Sequence, residues 1–147
     1  MRGKLPEITD TEFRPDLDIS DGRYFGPNVI LWGDADSNAA IRRLQNRLPI
    51  RSAGGAWQFG SSSYDGNSYV PVGIYPYPDS RIAYVVLNSG LTFREAHDRT
   101  NSQQNPKLPD WAIIDITQPP DANTPGRIHD ADFFDENWQL KRQPKAP

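Results

Sequence analysis

The chain has no cysteine. That excludes a disulfide framework and a zinc–thiolate site, and leaves the redox compartment unread. It has no large excess of either charge. Its 16 lysines and arginines face 19 acids, for a net charge of −3 with mixed signs. Nothing there calls for nucleic acid or an anionic membrane as partner. No apolar run approaches a membrane span, and no apolar h-region follows Arg2 and Lys4. As written, the chain is expected in the cytoplasm. Apolar residues make up only 36%, whereas the 14 prolines are plentiful. A length of 147 residues then suggests one loop-rich domain with a modest core.

What is present centres on Asn28–Asn38, N-V-I-L-W-G-D-A-D-S-N. A continuous apolar run, Val29–Trp32, suits a strand covered on both faces. Gly33 permits a tight turn. Asp36, Ser37 and Asn38 are helix-capping types. A helix is expected over about Ser37–Leu48, with Ile41, Leu44 and Leu48 on one face, Arg42, Arg43 and Arg47 on the other, and Pro49 as its stop. The three arginines could hold an anion or simply form a solvated face.

Turn signals at Gly54-Gly55, Gly60 and Asp65-Gly66 separate Ala56–Phe59 from Tyr69–Tyr75. These read as a β-meander inserted before the next buried strand. That strand is Arg81–Gly90, followed by a helix over Leu91–Asp98 with Thr92 and Glu95 spaced as a capping box. Asp110–Thr117 is a third buried strand, and Arg127–Phe134 a last strand or hairpin partner. Phe133, Phe134 and Trp138 are expected to pack it on the body. The expected division is a polar segment over 1–27 with a short edge strand, one α/β domain over 28–141, and a flexible tail over 142–147. The fold expected is an open, mostly parallel sheet in three layers, Rossmann- or flavodoxin-like.

In such sheets ligands bind beyond the carboxyl ends of the strands. The expected strand-end crevice therefore comprises Asp34, Asp36, Ser37, Asn38, Asn88, Ser89, Thr92, Arg94, Glu95 and Asp115. Neither G-x-G-x-x-G nor a Walker loop is present, and Asp34 would repel phosphate. Ser89 sits at a strand-to-helix turn, and Ser89, His97 and Asp115 could make a triad. The surroundings, L-N-S-G-L, lack the G-x-S-x-G elbow. Asp34 and Asp36 lack a third metal ligand nearby, so no metal and no cofactor is assigned. Asp16–Gly22 has the alternating acids of a calcium loop without its glycine or closing glutamate, and reads as an acidic turn. Arg94, Glu95, Asp98 and Arg99 read as an ion-pair network or a ligand clamp. Tyr64, Tyr69, Tyr75 and Tyr77 read as packing for the meander or as a sugar platform.

The ordered segments N-V-I-L-W-G-D-A-D-S-N, V-P-V-G-I-Y-P-Y-P, Y-V-V-L-N-S-G-L-T-F-R-E, N-P-K-L-P-D-W-A-I-I-D-I and A-D-F-F-D-E-N-W-Q-L resemble the C-terminal region of bacterial prolyl-oligopeptidase-like serine hydrolases. The resemblance covers about Asn28 to Lys141. It implies an α/β module following a separate hydrolase domain, in proteins that are often exported. It places none of the family's catalytic residues on this chain. It also implies that a first strand and helix are missing, which would leave an open sheet edge for a hydrolase domain or a second copy. The function expected is a non-catalytic accessory or interaction module. The alternatives are a small hydrolase using Ser89 or Asp34 and Asp36, and a carbohydrate- or peptide-binding domain.

Overall fold

The structure, a computed structural model, describes residues 28–78, 83–89, 109–118 and 127–147. Strand β1 (Val29–Trp32) leads into helix α1 (Ala39–Leu44), which tightens into a 3-10 turn over Gln45–Arg47. Strands β2 (Ile50–Ala53), β3 (Ala56–Phe59) and β4 (Ser62–Asp65) follow as an antiparallel meander. Strands β5 (Tyr69–Pro76), β6 (Tyr84–Asn88), β7 (Trp111–Asp115) and β8 (Arg127–Asp132) join β1 in a second sheet, in the order β1-β6-β5-β7-β8.

This is a β-rich fold and not the helix-layered, Rossmann-like α/β sheet expected. Among the described residues only β1 and β6 pair in parallel, and every other pair is antiparallel. Among the described residues the only α-helix is the six-residue α1, so the expected helix over Ser37–Leu48 is cut short at both ends. The second expected helix, Leu91–Asp98, lies outside the described residues, as do the segment 1–27 and its acidic turn. The misreading has a physical cause. A continuous apolar run marks a strand but says neither what covers it nor whether both faces are covered: Ile30 and Trp32 of β1, expected to be buried, are 46% and 51% exposed. Here one face of the five-stranded sheet meets a second sheet as well as a helix. Leu31, Val85, Leu87, Trp111 and Ile113 share one buried cluster with Ala40, Ile41 and Leu44 of α1 and with Ile50, Trp57, Phe59 and Tyr64 of the meander. The opposite face buries Val70, Val72, Ala112 and Ile114.

Strand β5, expected in the meander, sits at the centre of the large sheet despite Pro71. The Pro71 carbonyl accepts from Ser89 N–H at 3.2 Å, just past the last β5–β6 pair, Val72 with Asn88. The proline nitrogen faces that same side, so its missing N–H costs one bond at the very end of the β5–β6 ladder and none on the side of β7. Because β5 runs against both neighbours, β1, β6 and β7 run the same way, and their carboxyl ends share one rim.

A register shift between Ile113 and Ile114 leaves His129 as the extra residue of β8. It turns Asp130, opposite Ile113, into the core. There the carboxylate takes Arg142 Nη1 and Nη2 at 2.8 and 2.7 Å and Lys145 N–H at 2.8 Å. The tail expected to fray is thereby tied down. Pro144 O accepts from Ser62 Oγ at 3.1 Å, Lys145 O accepts from Tyr64 Oη, and Pro144 is buried. Phe134 and Trp138 pack against the core as expected, but Phe133 is 55% exposed, against the expectation that it would pack.

Candidate functional site

The expected rim resolves into turn architecture. Gly33 has φ +90°, and an added Cβ would lie 2.5 Å from Ser37 Oγ. Its N–H donates to Asn88 O at 3.1 Å, closing the β1–β6 end. The Asp34 carboxylate accepts from Asp36 N–H at 3.0 Å, Ser37 N–H at 2.8 Å and Ser37 Oγ at 2.7 Å. The Ser37 hydroxyl, first among these, holds the Asp34 pKa below its ordinary value. Asn38, and not Asp36, caps α1: its Oδ1 accepts from Ala40 and Ile41 N–H at 2.9 and 3.2 Å. Its Nδ2 also donates to Trp32 O at 2.9 Å. Asn38→Ala is expected to lower stability by about 1–2 kcal/mol in urea unfolding, because it removes cap and strand tether together.

The candidate nucleophile and acid of a triad are not brought together. By sheet register, Ser89 and Asp115 are two strands and two residues apart, roughly 12 Å along the backbone lattice. Asp115 spends Oδ1 on Thr117, accepting N–H at 3.0 Å and Oγ1 at 2.6 Å. That hydroxyl is also the main cause of its lowered pKa. Thr92, Arg94, Glu95 and His97 lie outside the described residues. So do Asp98 and Arg99 of the expected network. His129 Nε2 lies 3.0 Å from Ala146 O, and its ring meets Tyr69 and Tyr64 at 5.1 and 6.0 Å. Among the described residues no group of three acids or histidines could hold a metal ion. Asn88 Oδ1 and Ser89 Oγ are buried without a hydrogen-bond partner.

A concavity lies elsewhere. A groove of about 580 Å³ runs between the end of the 3-10 turn, the outer face of the meander and the segment Trp138–Gln143. Arg47 and Arg51 stand on one side of it. Asn46, Gln58, Gln139 and Gln143 contribute side-chain amides, and Tyr75 and Trp138 aromatic rings. Gly60, at φ +59°, admits the C-terminal segment: a Cβ there would collide with Gln143 Oε1 and press Leu140 at 3.1 Å.

No family model, curated protein or solved structure matches the chain. The groove must therefore be weighed on its own geometry. Trp138 is its most constrained member. It has φ +59°, the single positive φ of a non-glycine residue among the described residues. A bulky side chain there carries strain of about 1–3 kcal/mol and persists only when its surroundings hold it. Asp135 supplies that hold. Its Oδ1 accepts from Asn137 and Gln139 N–H at 2.9 and 2.8 Å, and its carbonyl from Trp138 N–H at 3.0 Å. The Trp138 ring then meets Tyr84, Tyr75 and Phe134 at 5.7, 6.0 and 6.0 Å.

Of the four tyrosines considered as a platform, Tyr64 is fully buried, with its pKa raised by burial, and Tyr69 packs on it at 5.6 Å. Only Tyr75 lines the groove. Sequence reasoning missed the rest because the groove joins residues about ninety positions apart. The one local signal was Arg47 and Arg51 flanking Leu48-Pro49. Arg42, the first of the helix arginines, is occupied by Ala35 O at 2.7 Å and Asp36 O at 3.1 Å.

Proposed function

We propose that the chain is a non-catalytic binding module, and that the groove beside Trp138 is its ligand site. The observation that carries this is the groove's concavity, lined by aromatic, amide and arginine residues. The accessory role implied by the resemblance to serine-hydrolase C-terminal regions agrees with it. Glycan- and peptide-array binding should be lost on Tyr75→Ala or Trp138→Ala in folded protein; arrays that stay blank with the wild type would overturn it.

The competing hydrolase reading makes an opposite prediction. Ser89 Oγ is buried and unpartnered, so Ser89→Ala is expected to be neutral or to stabilise by up to ~1 kcal/mol. The variant should match the wild type in a p-nitrophenyl ester assay. Activity present in the wild type and lost in Ser89→Ala would show an enzyme.

A separate observation favours self-association as well. Among the described residues β1 pairs with β6 alone, and its Ile30 and Trp32 are 46% and 51% exposed. A strand edge is self-complementary about a two-fold axis, since antiparallel pairing satisfies both copies. The occupant is then a second copy of this chain. Sedimentation velocity should show a dimer that Trp32→Ser weakens; a monomer at every concentration would count against it.

A further inference from the structure

Resting on the groove as ligand site, we infer that its ligand is an acidic carbohydrate, a chain of sugar units bearing carboxylates such as a uronate oligomer. Three features of the lining carry this.

The first is charge. The protein is acidic overall, at −3, yet Arg47 and Arg51 line the groove and, among the described residues, no carboxylate does. Arg51 is exposed on the outer face of β2, directly opposite Gln58 on β3. Among the described residues its guanidinium has no acidic partner. A planar guanidinium offers paired N–H donors that match a carboxylate in two parallel bonds. Arg47 Nη2 donates to Pro78 O at 2.9 Å, which ties that side chain to the loop after β5.

The second is the set of neutral amides. Gln58 Nε2 donates to Ser63 Oγ at 2.8 Å, and Gln143 Oε1 accepts from Ser61 N–H at 2.9 Å and Ser61 Oγ at 3.1 Å. Each glutamine is anchored by one end of its amide and keeps the other for a ligand: an acceptor on Gln58 and a donor on Gln143. Sugar hydroxyls both donate and accept, so they suit such a mixed set. The third is Trp138, an amphipathic ring held in a left-handed backbone beside Tyr75. Rings of this kind cover the apolar C–H face of a sugar while their edges stay polar.

An acidic peptide is the rival ligand of the same charge. Peptides commonly dock by adding a strand to a sheet edge. Here the Ser52 N–H on the outer edge of β2 is already taken by Gln45 Oε1 at 3.1 Å, which interrupts the ladder that mode would extend.

Isothermal titration calorimetry with uronate trimers, neutral trisaccharides of the same size and a tetraglutamate peptide tests the assignment. The variants are Arg51→Gln, at an exposed position that the fold tolerates, and Arg51→Lys. The expected result is uronate binding at least tenfold tighter than neutral sugar, weakened about tenfold by Arg51→Gln, only partly restored by Arg51→Lys, and weakened by salt. Neutral and acidic sugars binding equally, with no effect of Arg51→Gln, would overturn the acidic assignment and leave the groove as a sugar site. Preferential binding of tetraglutamate would overturn it in favour of peptide. No binding by any probe, or binding indifferent to Arg51 and Trp138 alike, would sink both this inference and the groove reading beneath it.

Discussion

Arg142→Ala is expected to lower the free energy of unfolding by about 2–3 kcal/mol. The residue sits in a tail that looks dispensable, yet it neutralises the most buried carboxylate among the described residues. The Asp130 side chain is 3% exposed, and that of Arg142 41%. Removing the guanidinium strands a buried charge with only the Lys145 and Ala131 N–H groups for company. Breaking a fully buried pair costs about 3–5 kcal/mol; the half-exposed arginine places this case lower. Arg142 also ion-pairs with Asp132 at 2.9 Å and covers the Trp111 ring at 5.6 Å, so some lost packing adds to the charge effect.

The same pair makes stability depend on pH in a defined window. The Arg142 side chain, above all, holds the Asp130 pKa down from 3.8 to about 2. A carboxyl whose pKa is lower folded than unfolded stabilises the fold above the unfolded value. That contribution is lost as pH falls through the folded one. The wild type should therefore lose about 2 kcal/mol between pH 4 and pH 2 from this group. Arg142→Ala should lose less over that window, since its Asp130 titrates closer to the unfolded value. Urea midpoints at pH 6, 4 and 2 read both numbers. Equal acid slopes for the two proteins would show that Arg142 does not set this pKa.

How much of this was legible beforehand divides by range. Short-range patterns read true. Val29–Trp32 is a strand over those same residues, and Ile41, Leu44 and Leu48 are all buried as their spacing demands. Partnership between strands was not legible. β6 and β7 announce themselves as apolar runs, but nothing local says that β5 inserts between them running the other way. Nor does an apolar run reveal whether its cover is a helix or a second sheet. For the site, Asp34, Ser37 and Asn38 stood out because turn-forming side chains are chemically the same types as ligand-binding ones; in the structure they hydrogen-bond each other and the backbone. The groove went unread because Gln143, some eighty positions on, bonds Ser61 at the turn after β3, a contact with no periodicity behind it. The tail was misjudged for the same reason. Its hold comes from a one-residue register shift in β8, which turns Asp130 inward without any mark in composition.

The interface between the two sheets makes the last large prediction. Phe59, 0% exposed, reaches from the meander to β7 and meets the Trp111 ring edge-on at 4.8 Å between centroids. Phe59→Ala removes that contact and opens a cavity where neither neighbour can follow. Trp111 belongs to a strand paired on both sides, and Ile50, beside Phe59 on β2, is fixed by the antiparallel register. The expected loss is about 3–5 kcal/mol, against less than about 1.5–2 for Phe59→Leu, which keeps most of the volume. The unfolding should stay a single transition in both variants, because one buried cluster spans α1, the meander and the large sheet. Circular dichroism and tryptophan fluorescence followed through the same urea titration decide this. A separate early transition, moved by Phe59→Ala while the later one stands still, would mean that the three-stranded meander folds apart from the five-stranded sheet. In that event the groove between the meander and the C-terminal segment would be a joint between two units, and the Ser61–Gln143 contact its hinge.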